Sequence, residues 1–151
     1  MDRDDTLDTL NNLIETSKDG EYGFRTSAEY LRSAEIKQSF MQRADECRAA
    51  AAELQSLVAS LGGEAETSGS ATGAMHRGWV AVKGALSGYS DKAILEETER
   101  GEDIAMTAYR SALDEALPAD VRSVVQRQFE GVKRNHAQVR KLRDQARTAS
   151  A

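Results

Sequence analysis

The sequence predicts an all-α fold in which four long amphipathic helices pack as one antiparallel bundle. Three observations carry that expectation. Apolar residues recur at alternating spacings of three and four along four separate segments, which is the seam spacing of helices packed about 20° from parallel. The 151 residues include one proline and almost no run of β-branched residues that would read as strand. The stretch 62–74 (GGEAETSGSATGA) is small, polar and glycine-rich, and reads as a loop between two pairs of helices.

The first helix is expected near 6–32, with Leu7, Leu10, Ile14, Ser17, Glu21, Phe24, Ala28 and Leu31 on one face and Asp5 as its cap. The second, near 34–61, carries Phe40, Ala44, Cys47, Ala51, Leu54, Val58 and Leu61; Ser33 caps it and Gly62-Gly63 ends it. The third, near 91–116, aligns Leu95, Thr98, Glu102, Ala105, Tyr109, Ala112 and Ala116 behind a Ser90 cap. The fourth, near 118–147, aligns Val125, Phe129, Val132, His136 and Val139, with Pro118 in its first turn.

Topology follows from the links. Helices one and two, and three and four, are joined by very short segments, so each pair is an antiparallel hairpin. Between the pairs, Met75, Trp79, Val82 and Leu86 mark a short amphipathic helix after the loop. A helix of about 27 residues is roughly 40 Å long, and loop plus short helix can cross that distance. Helix three then starts at the opposite end and runs parallel to helix two, the ferritin-like arrangement.

Composition limits the function. Hydrophobic residues are 40% and charged residues 30% of the chain, enough for a packed core and against global disorder. The whole chain, 1–151, reads as one domain. Cys47 is the sole cysteine, so no internal disulfide forms, in keeping with a reducing, cytoplasmic setting. The start Met1-Asp2-Arg3-Asp4-Asp5 is acidic and no apolar run is long enough for a bilayer, so neither a secretory signal nor a membrane span is expected. Net charge is −5, which argues against nucleic acid and anionic lipid as partners. The cluster Arg134, Arg140, Lys141 and Arg143 suits the cationic end of a helix.

Three ionisable residues fall on the buried stripes: Glu21, Glu102 and His136. A charge there is costly unless it is paired or bound to metal. Glu21 follows Gly20 and Glu102 follows Gly101 in the middles of equivalent helices. A mid-helix glycine costs about 1 kcal/mol relative to alanine and here suggests close backbone approach. One reading is a mid-bundle metal site of Glu21, Glu53, Glu102 and His136, suited to iron, manganese or zinc, with Asp19 and Glu99 at its flanks. The other is a structural network in which Arg43 pairs with Glu21, and Gln128 serves His136 or Glu102. Cys47 reads as a packed core residue.

The segments LNNLIETSKDGEYGF, AAELQSLVASLGGEAETSGS, HRGWVAVK, AILEETERGED and RQFEGVKRNHAQVRKLRD cover nearly the whole chain. With them the sequence resembles a bacterial, mainly proteobacterial, family of ferritin-like four-helix-bundle proteins known as a domain of unknown function. The resemblance implies the bundle and no established activity. Some relatives in the wider clan store or oxidise iron at a two-metal carboxylate centre, and that pattern needs Glu-x-x-His on two helices. No Glu-x-x-His occurs here: Ala49 follows Glu46, Ser56 follows Glu53 and Lys133 follows Glu130 at that spacing. The expected function is therefore non-catalytic, with a stress-related role suggested by the wider clan. It would be exercised through a homo-oligomer (dimer or larger) or a protein partner. The alternative is a metalloprotein with a reduced carboxylate/histidine site.

Overall fold

Asp2 opens the first helix: its carboxylate accepts the backbone N–H of Asp5 at 2.8 Å, so α1 (Arg3–Tyr30) begins a turn earlier than a cap at Asp5 would place it. The computed structural model describes residues 1–69 and 88–150. Ser33 caps α2 (Ala34–Ser60) by accepting from the N–H of Ile36 at 3.3 Å, and Ser90 caps α3 (Asp91–Leu113) in the same way through Ala93. At the end of α2, Gly62 takes φ +78° and its N–H reaches the carbonyl of Ala59, while Gly63 reaches Val58. This paired closure needs a left-handed residue, which glycine adopts at little cost. The last helix, α4, spans Ala119–Ser150. The expected short helix of Met75, Trp79, Val82 and Leu86 lies outside the described residues.

One boundary moves for a clear reason. α3 stops at Leu113, three residues before the expected end, because Pro118 disfavours helical backbone at Leu117. Leu117 turns into the core instead, and the Arg122 guanidinium donates to the carbonyls of Leu113 (2.9 Å) and Glu115, satisfying the helix end.

The helix directions are fixed by contacts at the two ends. Arg3 donates to the carbonyls of Leu61 and Gly62, which sets the start of α1 beside the end of α2. Asp91, the first residue of α3, accepts from the N–H groups of Arg32 (2.7 Å) and Ser33 (3.0 Å) at the opposite end. Leu61 and Asp91 therefore sit at opposite ends, and α2 and α3 run parallel. Packing is closest within each hairpin and sparser between the hairpins, where α1 meets α3 and α2 meets α4.

The interior is divided. At the end where α1 begins, Leu10, Leu13, Ile14, Leu54, Val58, Val121 and Val125 form one apolar core. At the other end Phe24, Ala28, Phe40, Ala44, Leu95 and Val139 form a second, with Phe24 edge-on to Phe40 at 5.1 Å between centroids.

Candidate functional site

Between the two cores the inward side chains turn polar. Each helix contributes: Ser17 from α1, Arg43 from α2, Glu102 and Tyr109 from α3, Gln128 and Asn135 from α4. Tyr109 donates to Gln128 Oε1 at 2.7 Å, and its hydroxyl lies 3.3 Å from Ser17 Oγ. The Gln128 amide donates in turn to Glu53 Oε1 (2.8 Å) and to the carbonyl of Ala50 (3.3 Å). Burial pushes the Tyr109 phenol up to about 12, so it stays a neutral donor.

Among the described residues Glu102 is the deepest charge-bearing group, with 3% of its surface exposed. Asn135 donates to its Oε1, and Arg43 Nε stands 3.9 Å from that same oxygen. Arg43 Nη1 is committed to Glu46 at 3.1 Å. Burial drives the Glu102 carboxyl up to about 7, while Arg43, Asn135 and His136 pull it down and Asp103 pushes it up. Among the described residues, two buried side-chain polar atoms lack a hydrogen-bond partner, Arg43 Nε and Glu102 Oε2. They belong to neighbouring groups.

The four sequence-predicted ligands do not converge. Glu21 lies on the flank of α1, its side chain 20% exposed, paired with Arg25 at 3.5 Å and Lys18 at 3.9 Å. The expectation that it is buried is corrected: the inward position at that level is Gly20, where an added Cβ would stand 3.0 Å from Cys47 Sγ. Glu53 is 37% exposed and held by Arg127 and Gln128. His136 sits at the rim, its Nε2 2.6 Å from Asp103. The inward residue of that turn is Asn135, because the buried seam of α4 runs Val121, Val125, Gln128, Val132, then past Asn135 to Val139. Arg43 faces Glu102 rather than Glu21, and Gln128 serves Tyr109 and Glu53. Glu99 pairs with Arg143, and Asp19 lines the cleft described next. Among the described residues, no three of the His, Cys, Asp and Glu side chains group as a metal ion requires. Cys47 is a core residue as expected, its thiol pushed by burial to about 12.

Around this layer a cleft of about 1300 Å³ is lined by all four helices. Small residues (Gly20, Gly23, Gly101, Gly131, Ala50 and Ala105) line it beside charged ones such as Asp19, Glu53, Arg127 and Arg134. A Cβ at Gly20 would press on Cys47, whereas one at Gly23 or Gly101 would meet nothing within 4 Å. Close approach explains the first glycine and not the other two.

Four helices with these directions and a crossover between α2 and α3 define a ferritin-like bundle. Solved structures that share it include two at 14% identity each. A Dps1 mutant of Mycobacterium smegmatis superposes with a TM-score of 0.74 over 93% of this chain and 96% of that one. A dodecameric thioferritin, the bacterioferritin-related protein of Bacteroides fragilis, gives 0.77 over 99% and 91%. At such identity the likeness concerns the fold. Residues 5–115 match the domain of unknown function DUF2383, and the chain belongs to that family. No curated protein matches it. Among the described residues no helix is long and apolar enough to cross a membrane.

Proposed function

We propose that this protein is a non-catalytic ferritin-like bundle that acts in the cytoplasm through self-association or by binding a partner. The observation that carries the reading is the guanidinium of Arg43 beside Glu102 at mid-bundle. A cation built into the chain stands beside the carboxylate and offsets its charge, and Asn135 donates to the same oxygen, Oε1. Such a pair organises a bundle interior and leaves little ligand capacity for redox or hydrolytic chemistry. Self-association draws support from Ile104 and Tyr22, which are 64% and 51% exposed, and from the dodecameric assembly named for the thioferritin. Sedimentation velocity at about 10–50 µM, a range suited to a modest interface, is expected to show a dimer or larger species. A monomer throughout that range refutes self-association.

The second reading, a reduced site for iron, manganese or zinc, is favoured by one observation, the unpartnered Oε2 of Glu102. Glu21, Glu53 and His136 each face a partner of their own, which supports the first reading over this one. Elemental analysis of protein purified without added metal separates the readings. Substoichiometric metal and a melting temperature unmoved by EDTA are expected; stoichiometric metal lost with EDTA reverses the order.

A further inference from the structure

We propose that copies of this chain join head to tail, the outer face of α4 on one protomer lying along the outer face of α1 on the next, so that assembly continues past a dimer. The inference rests on the self-association reading and names its surfaces. Charge is divided unevenly between the helices. α1 holds seven Asp and Glu against three Lys and Arg, whereas α4 holds eight Lys and Arg against three Asp and Glu. α1 touches α2 and α3, and α4 touches the same two, so α1 and α4 stand at diagonal corners of the bundle. One edge is acidic and the opposite edge basic, and they cannot meet within one molecule.

The charges form lines. On α1, Asp8, Glu15 and Glu29 recur at multiples of seven residues, and on α4 Arg127, Arg134 and Lys141 recur at seven. Positions seven apart share one stripe and lie about 10.5 Å apart along a helix axis, so two such helices side by side keep their charges in register. The minority charges are consumed nearby: Lys18 and Arg25 pair with Glu21, Glu130 with Lys133, and Asp144 with Arg143. Asp8, Glu29, Arg134 and Lys141 are exposed and Glu15 is half-buried. Among the described residues, none of these five side chains makes an ion pair or hydrogen bond. A helix dipole draws cations to the last turn and does not account for Arg127 and Arg134 in the middle of α4. A net charge of −5 repels a polyanion at long range, whereas a second copy brings an acidic line of matching repeat. Because the two faces differ and lie on opposite edges, each contact leaves one acidic and one basic edge free, and growth runs on to a ring or a chain.

Sedimentation velocity of the full chain at about 10–50 µM tests this. In about 25 mM NaCl, species larger than a dimer are expected. In about 0.5 M NaCl, where the screening length falls to about 4 Å, the apparent Kd should rise at least tenfold. Two charge-reversed variants, Arg134→Glu/Lys141→Glu and Asp8→Lys/Glu15→Lys, sharpen the check. Each alone should keep the wild-type melting temperature and sediment as a monomer. Mixed one to one they should assemble again, because the acidified α4 of one meets the basic α1 of the other. Should either variant fail to fold, the size and salt response of the wild type decide alone. A monomer at low salt overturns this inference together with self-association. A dimer that grows no further, assembly indifferent to salt or to both reversals, or a mixture of folded variants that stays monomeric overturns this inference alone. So does a wild type that retains a DNA duplex which Arg134→Glu/Lys141→Glu releases while still assembling, since the basic edge then serves a polyanion.

Discussion

Glu102 links the bundle's stability to pH. Its carboxyl lies near 7 in the fold, against 4.5 for an ordinary glutamate. Between those values the folded chain holds a proton that the unfolded chain has released, so its contribution to stability falls as pH rises from about 4.5 through 7. The size follows from the shift, about 3 kcal/mol. Gln cannot titrate. The stability of Glu102→Gln relative to wild type, from urea denaturation, is therefore expected to rise by about 2–3 kcal/mol between pH 5 and pH 8; a constant difference would show that Glu102 ionises in the fold as it does in water. At this scale the sequence was only partly legible. Counting threes and fours placed Glu102, Cys47 and Tyr109 inward correctly. It failed at Glu21 and His136, each one position from the truly inward Gly20 and Asn135. Both misplacements have one cause: at mid-bundle the seam residues are small or polar, so no apolar signal marks the phase. Counting onward from Val121 through Gln128 to Asn135 would have found the partner of Glu102.

At the scale of the helix, two mid-helix glycines that look equivalent in sequence do different work. Gly101→Ala adds a methyl to open space and is expected to stabilise by about 0.5–1 kcal/mol through helix propensity. Gly20→Ala pushes that methyl to 3.0 Å from a buried sulfur; crowding should outweigh propensity and leave a net loss of about 1 kcal/mol. Urea denaturation of the pair checks both, and the same sign for both would contradict the packing. Asp91 ties the first residue of α3 to the α1–α2 corner through Arg32 and Ser33. Asp91→Ala should cost about 1–2 kcal/mol, as loss of two charge-assisted bonds partly open to water, read from the midpoint of chemical denaturation. Ser33, Ser90 and Gly62 were legible because capping is local chemistry. The early stop of α3 was not, since it depends on how Pro118 trades helix for a buried Leu117.

Over the whole molecule, the direction of each helix could be read before any coordinates. The α1–α2 and α3–α4 links are too short for anything but hairpins, and the middle segment is too long to be a third turn. What length arithmetic cannot supply is how closely the hairpins meet. That depends on side-chain size at the inter-hairpin faces, where glycine and alanine hold open a cleft that periodicity alone reads as continuous seam.

The division of the interior into two apolar cores has a consequence for motion. In a bundle with a single core, amides near the helix ends exchange with solvent first and those at the centre last. Here the centre is where apolar packing is thinnest, with small side chains, a cleft and two buried polar atoms lacking partners. Local opening is expected to begin at the waist. The amides of residues 100–105 and 133–137 should exchange faster than those around Leu13 and Leu54 in one core and Ala44 and Leu95 in the other. Native-state hydrogen exchange would trace two protected blocks separated by a yielding middle, like two knuckles with a joint between them. A protection profile with one maximum at the centre would mean that the two cores open as one.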